Sequence, residues 1–176
     1  MSAERGRVNL PHKITTLVYL FNARGDLLLL ERKRKPNAGL WSPIGGKLDA
    51  ASGESPHECA RREVREEIGV SLHPRDLHLA GIVAEHGYEG DHHWLMFLFE
   101  CKQPLTALPP PHDEGRFDFI PCGRVGELAI PRTDREVIWP LFQQYRGGFF
   151  SVKIDCASQD KFSWELEEAW PAPASI

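Results

Sequence analysis

The sequence predicts a mixed α/β domain, and three observations support that fold class. Short segments rich in β-branched and aromatic residues are spread along the chain, and a strongly marked amphipathic helix lies between them. The chain has 176 residues, 41% hydrophobic and 26% charged, which is ordinary for one globular domain. We therefore expect a single domain over residues 13–168, preceded by a flexible segment, 1–12, and followed by a tail, 169–176.

Two strands are predicted at the start of the domain. Residues 14–21 form an apolar run with β-branched members, and residues 27–30 are all leucine. The segment between them, 22–26, contains Asn, Gly and Asp, which favour turns. The two strands are therefore expected to pair as a hairpin.

The clearest helix signal follows a glycine-rich stretch. Ser55 is a suitable N-cap, Pro56 suits the first helical position, and Glu58 completes a capping box. Gly69 suits the left-handed residue that follows a helix. These signals predict a helix over residues 56–68. Its core-facing stripe has apolar residues four apart, at Ala60, Val64 and Ile68.

The rest of the chain completes the alternating pattern. Five more strands are predicted at 77–85, 94–101, 117–120, 149–154 and 162–166, the last two as a hairpin. A polar loop, 86–93, joins the first two of these strands. A second helix is predicted over 133–145, capped by Thr133 and kinked or split by Pro140.

Three carboxylates crowd into little more than one turn of the first helix, at Glu63, Glu66 and Glu67. Like charges three or four residues apart on a helix repel by a few tenths of a kcal/mol. Such a cluster is either a set of ordinary solvated pairs with neighbouring arginines or a site that awaits a cation. Hard divalent ions such as Mg²⁺ take oxygen ligands, often together with substrate phosphates.

The surrounding residues decide between these interpretations. Gly45-Gly46, Glu54 and the segment 62–70 resemble the Nudix box, G-x5-E-x7-R-E-U-x-E-E-x-G-U, where U is aliphatic. The match is complete from Glu54 to Val70. Seven residues rather than five separate Gly46 from Glu54, which indicates a two-residue insertion in the loop before the helix.

The resemblance implies a fold, a cofactor and roles for particular residues. The fold is a mixed β-sheet sandwiched between α-helices, and the enzyme cleaves diphosphate linkages with Mg²⁺, or Mn²⁺ as an alternative. Arg62 and Glu54 are expected to orient the ligands. Glu66, Glu67, Glu114 and Arg62 are the catalytic candidates, with Glu114 as ligand or general base. The metal ligands implied are Gly45 through its carbonyl, Glu63, Glu66, Glu67 and Glu114.

Residues outside the box look like those of oxidised-purine nucleoside triphosphatases, a branch exemplified by 8-oxo-dGTP diphosphatases. The likeness lies in 33–41, 112–114, 139–141 and 149–150. The positions that recognise the base in that branch correspond here to Pro36, Ser42, Arg132, Asp134 and Arg135. Only Asp134 keeps its type, so Ser42 and Asp134 are expected to contact substrate with an altered base preference.

Basic and aromatic residues add weaker candidates. Alternate members of an extended segment face one side, so Arg32 or Arg34 from the basic run 32–35 is expected to bind phosphate, and Lys47 is a further candidate. Trp41 is expected to pack in the core rather than stack on a base. The irregular spacing of His86, His92 and His93 favours an exposed or substrate-facing loop over a metal site.

Composition and charge argue against several other classes of protein. The net charge of −4 argues against stable nucleic-acid binding, and the longest apolar run is too short for a membrane span. The segment 1–11 lacks the apolar stretch of a signal peptide. The four cysteines are isolated, which predicts reduced thiols in a cytoplasmic protein without a zinc site.

We therefore expect a monomeric or homodimeric enzyme that acts on a small nucleotide. A nucleoside triphosphate cleaved to monophosphate and pyrophosphate is the favoured substrate, with an oxidised purine included. ADP-ribose, another nucleotide sugar or a dinucleoside polyphosphate is the alternative within the class. A non-catalytic nucleotide-binding regulator is the alternative outside it.

Overall fold

The computed structural model describes residues 10–34, 37–88, 90–111, 113–157 and 162–171. Pro36, one of the predicted base-recognition positions, lies outside these residues. Within them the strands are β1 His12–Tyr19, β2 Leu27–Arg32, β3 Trp41–Ser42, β4 Ile44–Lys47, β5 Leu77–Tyr88, β6 His92–Cys101, β7 Gly115–Ile120, β8 Phe149–Asp155 and β9 Ser163–Trp170. The two α-helices are α1 Pro56–Ile68 and α2 Trp139–Gln144.

The strands form two sheets. Six strands make a mixed sheet in the order β4-β1-β6-β5-β8-β9, and three make an antiparallel sheet in the order β3-β2-β7. The pairs β1–β6 and β5–β8 are parallel, and the other pairs of the large sheet are antiparallel. The predicted mixed α/β fold is confirmed, and so is the final hairpin, β8–β9.

The two helices cover opposite faces of the large sheet. Successive residues of β1 point to opposite faces, and they belong to different hydrophobic clusters. Val18 packs in the cluster that contains Ala60 and Val64 of α1. Tyr19 packs in the cluster that contains Phe142 of α2. The sandwich of a sheet between helices is therefore present.

The predicted hairpin of the first two strands is wrong, because β1 and β2 belong to different sheets. Both edges of β1 are occupied, by β4 on one side and β6 on the other. Only the bridge between Phe21 and Leu27 remains of the expected pairing. The turn at 22–26 therefore carries the chain from one sheet to the other, where β2 pairs with β3 and β7.

The second predicted helix is present as one continuous helical segment, which the predicted break at Pro140 does not divide, and Thr133 does not cap it. Thr133 already has helical φ and ψ angles of −65° and −37°, and it makes no side-chain cap bond. A single π-helical turn, Asp134–Ile138, precedes α2, and the N–H of Trp139 bonds to the carbonyl of Asp134. Pro140 lacks an N–H and cannot continue a regular α-helical ladder from this turn.

Element boundaries also differ from those predicted. Strands β5 and β6 extend into the expected loop 86–93, and Tyr88 pairs with His92. Strand β1 begins at His12, inside the segment expected to be flexible, and β9 ends at Trp170, two residues past the predicted domain end. All four cysteines lie in the described part of the chain and are free. No helix among the described residues is long and apolar enough to cross a membrane.

Candidate active site

Helix α1 is fixed at both ends by the residues that predict it. The Ser55 hydroxyl accepts from the Glu58 N–H at 3.2 Å, and the Glu58 carboxylate accepts from the Ser55 N–H at 2.8 Å. Gly69 ends the helix with a φ of 72° and bonds to the Arg65 carbonyl. The capping box therefore fixes where α1 begins, and the packing of Ala60 and Val64 sets which side of the helix faces the sheet.

Strand β4 lies against β1 on one side and against the Glu63 carboxylate of α1 on the other. A Cβ at Gly45 would overlap the carbonyl oxygen of Thr16, and one at Gly46 would overlap the Glu63 carboxylate. A side chain at Gly45 would therefore force two backbones apart, whereas one at Gly46 would displace the end of the Glu63 side chain. The glycine pair thus allows the backbone of β4 to border the carboxylates.

Arg62 connects the carboxylates of this region. Its Nε and Nη2 donate to the two oxygens of Glu54 at 2.7 and 3.0 Å. Its Nη1 donates to Glu63 at 2.6 Å and to Glu66 at 3.2 Å, and Nη2 also donates to the Lys47 carbonyl at 3.1 Å. The guanidinium bonds hold the pKa of Glu54 at about 2.

A cleft of about 340 Å³ opens beside this network. We call it the carboxylate cleft, and its lining residues are Arg32, Gly45, Gly46, Glu63, Glu66, Glu67 and Glu114. The fold therefore brings together every residue that the family resemblance implied as a metal ligand. Glu114 arrives from the segment before β7, far from α1 in sequence, and its carboxylate lies 3.8 Å from Nη2 of Arg32.

Glu67 has the least compensated charge in this cleft. Its Oε2 is buried and has no hydrogen-bond partner among the described residues, although the backbone N–H of Gly45 donates to the carboxylate. Burial and the neighbouring charge of Glu63 raise the pKa of Glu67 to about 7. Burial also raises the pKa of Glu63. A buried carboxylate without a partner is costly unless a ligand completes it.

The cleft suits a hard divalent cation by the chemistry of its donors. Carboxylate and carbonyl oxygens are the ligands that Mg²⁺ takes, and the orphaned oxygen of Glu67 lacks a positive partner. In the conformation described, no three His, Cys, Asp or Glu side chains of the described residues are arranged to hold a metal ion. Two of the acids, Glu63 and Glu66, are instead bonded to Arg62, so ligation requires these side chains to reorient.

A second cleft, of about 380 Å³, adjoins the first and shares Arg32, Gly45 and Gly46 with it. We call it the adjacent cleft. Its apolar lining includes Leu17, Pro43, Trp94, Met96 and Pro131, and its polar lining includes Lys13, Ser42, Lys47, Glu85, Asp91, His92, Thr133 and Asp134. The two clefts together offer a charged region beside a largely apolar one.

Glu85 is a residue of the adjacent cleft that the sequence analysis missed. It is only 5% exposed, and its Oε1 has no hydrogen-bond partner among the described residues. Strand alternation offers the missed signal, since Val83 and Glu85 share the buried face of β5. Burial raises the pKa of Glu85 to about 7, although a bond from the Thr133 side chain opposes the shift.

Asp134 enters the same cleft from the π-helical turn. Burial and the charge of Glu85 raise its pKa to about 7 as well. Its neighbour Arg135 does not join it, because that guanidinium donates to the carbonyls of Leu128 and Ile130 at 3.0 and 3.3 Å. The predicted contact residue Asp134 therefore lies near the acid Glu85, and Arg135 does not balance its charge.

Of the other residues predicted to contact substrate, some line the clefts and one lies on the surface. Ser42 lines the adjacent cleft with a buried hydroxyl that lacks a partner among the described residues. Arg32 lines both clefts, and its Nε is likewise buried without a partner there. Lys47 lines the adjacent cleft, whereas Arg34 is exposed and lines neither cleft. Trp41 is buried in the hydrophobic core, as expected.

The histidines of the predicted loop 86–93 divide between the surface and the adjacent cleft. The rings of His86 and His93 are stacked with centroids 4.8 Å apart, and His86 Nδ1 lies 3.0 Å from Asp155 Oδ1. His92 is buried and lines the adjacent cleft.

Known proteins share part of the sequence of this chain. The family model of the NUDIX domain matches residues 11–143. The NAD-capped RNA hydrolase NudC of Stutzerimonas stutzeri is 47% identical over 91 residues, which cover 52% of this chain and 30% of that protein. The uncharacterized Nudix hydrolase YvcI of Bacillus subtilis is 39% identical over 116 residues, covering 64% of this chain and 68% of that protein. The chain thus spans less than a third of NudC.

Solved structures share the fold at low sequence identity. The mutator MutT protein of Bacillus halodurans has a TM-score of 0.66 at 24% identity, covering 88% of this chain and 97% of that one. The NUDIX domain of Shewanella oneidensis NrtR, in complex with ADP ribose, has a TM-score of 0.60 at 14% identity, covering 81% and 92%. At these identities the likeness supports the fold alone.

Proposed function

The chain belongs to the NUDIX domain family, and from that premise we propose that it is a pyrophosphohydrolase acting on a nucleotide with Mg²⁺, or Mn²⁺, as cofactor. The observation that carries the proposal is Glu67, a buried carboxylate with an unpartnered oxygen among the acids of the carboxylate cleft. A monomeric or homodimeric enzyme in the cytoplasm remains our expectation.

The residues of the carboxylate cleft have separate roles in this proposal. Glu63, Glu66, Glu67 and Glu114, together with the Gly45 carbonyl, would hold the cation. When bound, the cation neutralises phosphate charge and lowers the pKa of coordinated water. Arg62 bonds to Glu63 and Glu66 in the described conformation, and it would orient both carboxylates until their side chains turn towards the cation.

Proton transfer and phosphate binding fall to other groups. Glu67 and Glu114 are the candidates to accept a proton from the attacking water. Arg32 lies where the two clefts meet, so its guanidinium can bind a phosphate whose nucleoside occupies the adjacent cleft. Lys47 provides a second positive charge near that position.

We propose a nucleoside triphosphate as the substrate, cleaved to a monophosphate and pyrophosphate. The apolar walls and polar groups of the adjacent cleft suit a nucleobase. An oxidised purine such as 8-oxo-dGTP is one form of this substrate, since Asp134 keeps its type and lines that cleft. ADP-ribose, another nucleotide sugar or a dinucleoside polyphosphate is the alternative with the same scissile linkage.

A second candidate substrate is the pyrophosphate linkage of an NAD cap on RNA. It is favoured by the 47% identity to NudC over 91 residues. The net charge of −4 favours free nucleotides over long RNA, because phosphate backbones bind best to positive surfaces.

Turnover of a nucleotide panel with and without Mg²⁺ tests the proposal. The panel contains canonical and 8-oxo triphosphates, ADP-ribose, dinucleoside polyphosphates, NAD and NAD-capped RNA, with products identified by mass. We expect cation-dependent cleavage of a phosphoanhydride bond by the wild type and by the exposed-site control Glu127→Gln. Tight nucleotide binding without turnover of any compound would instead favour the non-catalytic regulator.

A further inference from the structure

Strand β4 carries two successive glycines at the edge of the large sheet, so its own side chains do little to hold it in place. Among the described strands it pairs with β1 alone. Glycine has the widest conformational freedom of all residues, and neither Gly45 nor Gly46 has a side chain that could pack. Yet Gly46 lies against the Glu63 carboxylate, and Gly45 lines the carboxylate cleft. Contacts from neighbouring elements therefore have to fix these two peptides.

Helix α1 supplies contacts to the outer side of β4. The N–H of Gly45 donates to the Glu67 carboxylate, and Nη2 of Arg62 donates to the Lys47 carbonyl at 3.1 Å. Along a strand, the backbone groups of alternate residues point to opposite sides. Gly45 and Lys47 therefore turn their backbone groups towards α1, whereas Gly46, between them, turns its carbonyl towards β1.

The carbonyl of Gly46 is held by Thr15 of β1. The Thr15 hydroxyl donates to it at 2.6 Å, whereas another acceptor within its reach, the Thr16 carbonyl, lies 3.5 Å away. The Cys59 thiol is a second and weaker donor to the Gly46 carbonyl, at 3.7 Å. Thr15 is only 6% exposed, so water has little access to compete for the hydroxyl bond. A short, buried bond thus restrains the peptide plane of Gly46.

The Gly46 peptide passes this restraint on to the carboxylate cleft. Its Cα faces Glu63 so closely that a Cβ there would overlap the carboxylate. The Gly45 carbonyl, one of the oxygens proposed to hold the cation, belongs to the peptide group that precedes the Gly46 Cα. Because peptide groups are planar, rotation about the backbone bonds of Gly46 would shift that oxygen and the space beside Glu63 together.

We propose that Thr15 is a positioning residue, which holds the Gly45 carbonyl in place for the cation of the carboxylate cleft. The inference rests on the proposed function, because it concerns the cation of the same site. Thr15 lines the adjacent cleft rather than the carboxylate cleft, so it acts on the cation only through the β4 backbone. It lies outside the segment that resembles the Nudix box, and the sequence analysis assigned it no role.

The next residue of β1, Thr16, provides a matched control. Its side chain lies on the opposite face of the sheet, is fully buried, and has its Oγ1 3.4 Å from Sγ of Cys59. Valine has the shape of threonine without the hydroxyl. Thr15→Val and Thr16→Val therefore remove one buried hydroxyl each from adjacent positions, but only Thr15→Val removes the donor at 2.6 Å from the Gly46 carbonyl.

Hydrogen exchange of the metal-free protein tests the restraint on β4 without cation or substrate. Exchange rates of the Gly45 and Gly46 amides are measured by NMR in EDTA. We expect Thr15→Val to accelerate exchange at these amides about 3- to 10-fold, because a buried hydrogen bond is lost. Thr15→Ser keeps a hydroxyl that can make the same bond, so it and Thr16→Val should stay within about 2-fold of wild type.

Binding of Mn²⁺ to the nucleotide-free protein tests the consequence for the metal site. Electron paramagnetic resonance follows the free ion during titration. We expect Thr15→Val to raise the Kd for Mn²⁺ about 3- to 10-fold, and Thr15→Ser and Thr16→Val to stay within about 2-fold of wild type. At saturating Mg²⁺ the KM of Thr15→Val for the best nucleotide should also stay within about 2-fold. Thr15→Ala replaces Thr15→Val if that variant does not fold.

Several results would overturn the inference. These are a wild-type Kd for Mn²⁺ in Thr15→Val, equal losses in Thr15→Val and Thr16→Val, or no binding of Mn²⁺ by the wild type. A raised KM with unchanged affinity for Mn²⁺ would make Thr15 a substrate contact instead. Binding of Mn²⁺ that depends on Thr15, without turnover of any nucleotide in the panel, would contradict the proposed function alone.

Discussion

The acids of helix α1 and those of the adjacent cleft are the same kinds of side chain, but their surroundings shift their pKa values in opposite directions. Beside α1, Arg62 bonds to Glu54, Glu63 and Glu66, and the pKa of Glu54 falls to about 2. In the adjacent cleft no guanidinium of the described residues forms an ion pair with Glu85 or Asp134, and burial raises the pKa of each to about 7. One region is therefore anionic at neutral pH, whereas the other retains a proton.

Glu67 combines features of the two regions. It belongs to the α1 cluster, yet its pKa is raised to about 7 because burial and the charge of Glu63 outweigh its bond from Gly45. Its Oε2 is left without the guanidinium contact that its neighbours receive. The difference supports our proposal that a cation binds within the acidic cluster, whereas the unpartnered oxygen of Glu85 in the adjacent cleft needs a hydrogen-bond donor.

Replacing Glu67 should have the largest effect, because it removes the acid whose charge is least compensated. Glu67→Gln keeps the size of the side chain and removes the charge needed for ligation or proton transfer. We expect kcat to fall about 10²- to 10⁴-fold, the usual contribution of such a group. Steady-state hydrolysis of the best substrate measures this, with Glu127→Gln as the control. Full activity of Glu67→Gln would place the metal site elsewhere.

Replacing Arg62 tests whether its several guanidinium hydrogen bonds keep the α1 acids in fixed positions. Arg62→Lys keeps the positive charge but cannot bond to Glu54, Glu63 and Glu66 together. We expect kcat to fall about 10- to 100-fold, the range for residues that orient metal ligands. The apparent affinity for Mg²⁺ should weaken as well, and a cation titration of activity measures it. Arg65→Lys, on the same helix, is the matched control and should behave as wild type.

The sequence predicts the α1 region well because its signals are local. Capping, the apolar stripe and the acid spacing all lie within a short segment, and the helix forms over the residues predicted. The glycine pair before it lies in β4, where Gly46 faces the Glu63 carboxylate. Only Glu114 comes from far along the chain, and the resemblance to a known family supplied it.

The adjacent cleft was less predictable because its parts meet through tertiary packing. Glu85 can be predicted as a site residue only if β5 is known to extend to it with the side chain buried on the same face as Val83. Asp134 depends on a π-helical turn, which no simple periodicity signals. The failed hairpin has a similar cause, since the pairing of β1 with both β4 and β6 is a non-local choice.

The pH dependence of stability tests the protonated state of the adjacent cleft. The pKa of Glu85 rises from 4.5 to about 7 in the folded protein, so the folded state binds more protons between these values. The free energy of unfolding should therefore fall as pH rises through that window. Glu85→Gln removes this titration, and we expect it to be more stable than wild type above about pH 7 by about 1–3 kcal/mol.

Urea unfolding at about pH 5 and about pH 8 measures the effect, with Glu136→Gln as the control. The advantage of Glu85→Gln over wild type should shrink towards the lower pH, because the wild-type acid is then neutral too. An advantage of the same size at both pH values would mean that ionisation of Glu85 is not the cause, and the contrast between the two regions would lose its basis.

Removing the helix cap should have the smallest effect. It tests whether the cap contributes to the positions of the α1 acids. Ser55→Ala loses the bond to the Glu58 N–H, which costs about 1 kcal/mol of stability. We expect kcat to stay within about 2-fold, because Arg62 still ties Glu54 to the acids beyond the first turn. Ser71→Ala, past the end of the helix, is the control. A large loss of kcat in a folded Ser55→Ala variant would show that the cap, rather than Arg62, sets the positions of the acids.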